Sequence, residues 1–198
     1  MAVEAAVLFH QREKGRVSMD GDVAKKLRSA FKESMRMLLP EYTFNKKESI
    51  FYNRLIYHRH CTDVNVYLFV ALATASHANS FIIECGWNIG NDKMPYSINS
   101  TPCIPSSDAN GLFTTSSCYF RISHLWCKNE EWWKCGREVC LGDTEIGYDI
   151  AKLVQAKDEA VSDCLGIIDN LVADAFSKIL KCLVPYYDDV INALRGSN

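Results

Sequence analysis

The chain has 198 residues, with 22 basic side chains against 24 acidic ones and a net charge of −2. Its hydrophobic fraction of 48% and charged fraction of 23% are those of an ordinary globular domain with a real core. Charge balanced in this way gives no basic footprint for nucleic acid, and no apolar run reaches the ~18 residues that a membrane span needs.

In chain order, residues 1–20 show no periodicity and are expected to form a loose arm ahead of one α+β domain over 21–198. The first stretch, MAVEAAVLFHQREKGR, places its basic residues after the apolar ones. A secretory signal has the reverse order, so we expect a cytoplasmic protein. Ser18 or Asp20 can cap a helix whose apolar positions are Val23, Leu27, Ala30, Phe31, Met35, Leu38 and Leu39. That spacing follows a period near 3.6, and Pro40 ends it. Lys25, Lys26, Arg28, Lys32 and Glu33 fall on the opposite, solvent face.

Four strand-like segments follow: Ser49–His58, Val64–Ala75, Ser80–Ile89 and Cys118–Leu125. In the third, Phe81, Ile83, Cys85, Trp87 and Ile89 alternate onto one face, and in the fourth Phe120 and Ile122 do so. Short polar connections between the first three predict an antiparallel meander. A long irregular segment, 91–117, is rich in Pro, Ser, Thr and Asn and reads as a lid, a binding loop or a plain elaboration. From Thr144 the pattern turns helical, with Gly166 a place for a bend and Pro185 a stop before a short last helix. The expected architecture is an N-terminal helix, a four-stranded antiparallel sheet, and long C-terminal helices packed on one face.

Several groups could carry chemistry. His124, Cys127, Cys135 and Cys140 give H-x2-C-x7-C-x4-C, four soft ligands close enough for tetrahedral zinc. Structural zinc sites, however, usually present two tight pairs, and the nine cysteines are odd in number and scattered. Free thiols packed as small hydrophobes are the expectation. The His58-Arg59-His60 run sits at a strand end without an acidic neighbour to orient either ring, and reads as a polar turn. Glu84 falls mid-strand on the polar side of its alternation. No nucleophile elbow, phosphate loop or Cys/His signature is present, so no catalytic residue is assigned.

The stretch Phe120–Cys135 holds three of the four tryptophans. Trp132 and Trp133 cannot both enter one core, because neighbours in regular structure diverge by ~100–180°. The sheet face left open by the helices would carry Tyr119, Arg121 and Ser123 beside Tyr52 and Arg54, with Trp126, Trp132 and Trp133 at its rim. Aromatic and arginine mixtures of this kind are enriched at protein interfaces.

The segment LLPEYTFNKKESIFYNRL, the pair FRISHLW and EWW, and the late VPYYDDV together resemble bacterial domains of unknown function of the DUF 4304 group. The resemblance spans Val23 to Leu194; the first two dozen residues and the 91–117 segment depart from it. It implies an α+β fold and a bacterial cytoplasmic protein, and it brings no catalytic residues. The function expected is a non-enzymatic, cofactor-free domain that binds another protein, such as an immunity or accessory protein. The alternative is a metal-dependent enzyme or zinc-stabilised domain built on His124, Cys127, Cys135 and Cys140. Neither nucleic acid nor membrane is an expected partner.

Overall fold

A computed structural model of the chain describes residues 21–72, 80–90, 94–97, 101–102, 116–127, 132–135 and 149–195. The expected N-terminal arm lies outside these residues, as does most of the 91–117 segment. The fold is α+β, an antiparallel sheet carrying helices on one face.

Helix α1 runs over Gly21–Leu38 and buries Val23, Leu27, Phe31 and Met35 of the predicted stripe together with Ala24, whereas Ala30 is half-buried and Leu38 is exposed. A two-residue strand β1 (Thr43–Phe44) leads into a short helix α2 (Lys46–Tyr52). Strands β2 (Arg54–Cys61), β3 (Val64–Leu72), β4 (Ser80–Ile89) and β5 (Ser117–Arg121) follow, then β6 (Trp133–Lys134). The sheet order is β1-β2-β3-β4-β5, every pairing is antiparallel, and β6 pairs with the start of β4. Helix α3 (Ile150–Lys178) passes through a π-helical turn, Ile179–Leu183, into α4 (Val184–Arg195).

Several expectations are corrected. The described residues hold six strands rather than four. Ser49–Tyr52 is helical, because Asn45 Oδ1 accepts from the Glu48 N–H at 3.1 Å and caps α2, while Asn53 turns left-handed at φ 51° and ends it. The strand expected over Cys118–Leu125 stops at Arg121, and Ile122–Leu125 forms a 3₁₀ turn. Gly166 does not split α3; the irregularity comes more than three turns later, where the Val184 N–H reaches back to Ile179 O. Pro185 stands in the first turn of α4 rather than ending a helix. Helix α4 follows the π-helical turn directly, and a proline has no N–H to give to the helical ladder there.

The core lies between one sheet face and the helices. Phe31 of α1 meets Phe81 of β4 edge-on at 5.2 Å and Phe176 of α3 at 5.6 Å, and Phe81 stacks on Trp133 at 5.3 Å. Helix α4 is pinned to the sheet by Tyr187. Its hydroxyl contacts the Tyr67 carbonyl and accepts from the Gly86 N–H at 3.0 Å. Burial raises the Tyr187 pKa well above its ordinary value.

The second sheet face is covered as well. Ile56, Phe69, Tyr96 and Tyr119 form a separate buried cluster, with Tyr52, Tyr67 and Met94 packed against it. The Met94–Ser97 stretch supplies this cover and settles over Gly86. A Cβ built there would stand 2.7 Å from Cys118 O and 2.8 Å from Pro95 Cγ. Gly166, on the exposed side of α3, has nothing within 4 Å of such a Cβ. The two glycines therefore predict opposite outcomes in urea unfolding. Gly86→Ala should destabilise by about 1–3 kcal/mol through overpacking. Gly166→Ala should stabilise by about 1 kcal/mol through helix propensity.

Candidate functional site

Strand β4 is buried along nine of its ten residues, so Glu84 sits inside the second face. Its register partners are Phe69 on β3 and Arg121 on β5. A buried carboxylate needs a partner, and Glu84 Oε2 finds the Arg54 guanidinium from the start of β2. Arg54 Nε also donates to the Tyr96 hydroxyl at 2.9 Å, and its guanidinium lies 4.5 Å from the Tyr96 ring centroid. Burial, and then the charge of Glu84, raise the Tyr119 pKa. An aromatic ladder continues outward: Tyr96 meets Tyr52 at 5.0 Å, and Tyr52 meets Phe51 at 4.7 Å, both edge-on.

Phe51 is 77% exposed and its neighbour Ile50 is 72% exposed. Both stand on α2, and Ile50 lines a groove of about 620 Å³ between α1, β1 and α2. Its apolar lining is Phe44, Ile50, Leu55 and Leu72, and Arg28, Lys32 and Lys46 supply charge alongside Arg54. A smaller groove of about 380 Å³ adjoins it through Lys32 and Phe44, adding Arg36, Met35, Tyr42 and Tyr57. Lys32 Nζ lies 5.2 Å above the Phe44 ring, which itself packs on Tyr57 at 5.2 Å. No carboxylate lines either groove among the described residues.

This is not the face the sequence pointed to. Tyr119, expected to be open, is buried, because Tyr96 packs on it at 5.2 Å. Arg54 and Arg121 are half-buried on the same covered face. Trp133 is buried in the helix-side core, Trp132 is half-buried and Trp126 is exposed. The tryptophans are thus not gathered on the face of Tyr119 and Arg121. Trp126 and Trp133 converge instead on Lys178 of α3, whose Nζ lies 5.5 and 5.0 Å from their ring centroids. The Trp133 indole N–H donates to Asp174 Oδ2 at 2.8 Å, and Lys178 pairs with the same carboxylate at 3.3 Å.

Among the described residues no three His, Cys, Asp or Glu side chains gather as a metal site. His124 and Cys127 are half-buried and Cys135 is fully buried, while Cys140 lies outside the described residues. Burial, and then the neighbouring Cys164, push the Cys135 thiol up to about 12, which disfavours the thiolate that a metal requires. His60 Nδ1 lies 2.6 Å from Asn65 Oδ1, and His58 stacks on Tyr67 at 6.3 Å, so the two rings are engaged separately. No helix among the described residues is long and apolar enough to cross a membrane.

No family model, no curated protein and no solved structure matches the chain. The groove was missed because Ile50 and Phe51 were read as part of a strand over Ser49–His58. The available signal was the asparagine at each end of the segment.

Two tests follow from these contacts. Arg54→Met strands a buried Glu84 and should cost about 3–5 kcal/mol in urea unfolding, whereas Arg54→Met with Glu84→Met should recover most of that loss. The second concerns Asp174, whose pKa is lowered first by the Trp133 hydrogen bond and then by Lys178. A carboxyl held lower in the folded state stabilises above its unfolded pKa, and that contribution is lost as pH falls through the folded value. The melting-temperature gap between the native chain and Asp174→Asn should therefore be full above about pH 5 and close on further acidification.

Proposed function

We propose that the chain is a non-enzymatic domain that binds a partner protein, as an accessory or immunity protein does, through the rim of the α1–α2 groove. The observation that carries this reading is the adjacent exposed pair Ile50 and Phe51. Singly exposed apolar residues are ordinary on any surface. Two neighbours this exposed, on a helix capped at both ends and linked through the half-buried Tyr52 to the buried Tyr96, make a pre-organised anchor.

The anchor's backbone is fixed by the sheet. The Asn45 N–H donates to Ile56 O at 2.8 Å, and the Ile56 N–H donates to Ser49 Oγ at 2.9 Å. Binding there loses little conformational freedom, so contact area converts to affinity. The adjoining groove offers apolar walls with charged sides, the mixture found where one protein receives a side chain of another.

Capture of partners from the native host with the full chain, compared with Phe51→Ala, tests the reading. The variant should lose the partner by about 2 kcal/mol or more of binding free energy. Its unfolding free energy should stay within about 0.5 kcal/mol of the native chain, because Phe51 contributes little to the core. Retention of the same stoichiometric partner by Phe51→Ala and by Ile50→Ser would sink the proposal.

A further inference from the structure

We infer that the segment received by this groove is acidic: a stretch of the partner protein carrying Asp or Glu side chains around one bulky apolar residue. The inference rests on the protein-binding reading and names the partner's chemistry. Arg28, Lys32 and Arg36 succeed one another at i, i+4 and i+8 along one side of α1, and all three are exposed. Lys46 faces them across the groove from the start of α2. Like charges one turn apart repel along a helix, so this stripe is unfavourable in the free protein and is relieved by an incoming anion.

Within the described residues these cations are not neutralised. Arg28, Lys32, Arg36 and Lys46 form no ion pair among the described residues. The nearby carboxylates are directed elsewhere. Glu33 lines a separate groove between α1 and α3, and Glu41 pairs with Arg59 at 3.5 Å. Glu48 lies in the first turn of α2, where a carboxylate suits the helix dipole. A local cationic face on a chain of net charge −2 is a departure from its own average.

The apolar half of the site selects among anions. Phe44, Ile50, Leu55 and Leu72 wall the groove, and the exposed Phe51 follows Ile50 on α2. A phosphate backbone has nothing to place there, and two exposed apolar side chains hold poorly on a bilayer. A peptide that alternates carboxylates with a leucine or phenylalanine satisfies both halves at once. Charge complementarity of this kind raises the association rate and falls with ionic strength.

The test uses the full chain and fluorescence anisotropy with a short labelled peptide of Glu residues around one Leu, beside its Gln counterpart. The Glu peptide should bind at least about tenfold tighter than the Gln peptide at low salt, and the gap should shrink as salt rises. Arg28→Glu and Lys32→Glu should each weaken it by about tenfold, while Lys152→Glu on α3 should leave it unchanged. Circular dichroism on each variant reports whether it folds. Equal binding of the two peptides overturns the acidic assignment and leaves the protein-binding reading standing. So does tighter binding of an oligonucleotide or an anionic vesicle than of the Glu peptide. If the host partner is captured equally by native chain, Arg28→Glu and Lys32→Glu, the groove's charge plays no part and the inference fails alone.

Discussion

The arrangement depends on one ion pair, Glu84 with Arg54, placed where the sheet is buried on both faces. A carboxylate at the middle of a central strand cannot reach water, so its charge has to be met from inside. The guanidinium that meets it comes from the first residue of β2, immediately after the turn that ends α2. Tyr96 adds its hydroxyl and ring to the same guanidinium, fixing the cover over the second face. Tyr52 leans on Tyr96 and Phe51 leans on Tyr52, so the position of an exposed residue is linked to a buried charge four contacts away. Hydrophobic area alone would leave that rim free to shift. The ion pair fixes it.

Legibility in the sequence followed how many independent signals agreed at each place. Strand β4 was read at its observed bounds because ten residues alternate without a helix-forming competitor. Helix α1 was equally plain, its apolar stripe closed by Pro40. Ser49–Tyr52 was lost because four apolar or β-prone residues support a strand as readily as a helical turn. Only the capping residues break that tie, since Asn45 bonds Glu48 and Asn53 accepts the left-handed turn. The second sheet face was expected open because the reading assigned helices to one side and favoured an accessible face over cover by the 91–117 segment. Gly86 was the local clue. A glycine in the middle of an apolar strand often marks close approach of another backbone, and here Pro95 approaches it.

The tryptophan-rich stretch illustrates how one residue pattern supports different physics. Trp126 and Trp133 do not lie side by side on a surface; they flank Lys178, and Asp174 completes the set. The indole faces, the ammonium and the carboxylate satisfy one another and tie β6 to the end of α3. The cysteines of the same stretch behave accordingly. Cys135 is buried near Cys164 as a small apolar side chain, in surroundings that oppose the thiolate a metal needs. Sequence spacing put soft ligands close together, and burial disfavours the ligating form of Cys135.

The same economy governs the sheet edge and, through it, the mode of binding. An open edge strand is a template for unwanted pairing, and proteins blunt it with short strands, cations or a covering element. Here β1 is two residues long and follows Pro40 within three residues. Beyond β1, the outer edge of β2 at Ile56 is already occupied, its N–H by Ser49 and its carbonyl by Asn45. A partner therefore cannot add a strand to β2 at Ile56, and peptide recognition by β-augmentation is closed at that point. What remains on this side is side-chain chemistry: exposed cations on α1 and α2, and an apolar pair held outward by the helix that caps the edge. The element that protects the sheet from pairing is also the element that carries the exposed Ile50 and Phe51. At Ile56 the outer edge of β2 therefore offers side chains rather than backbone hydrogen bonds.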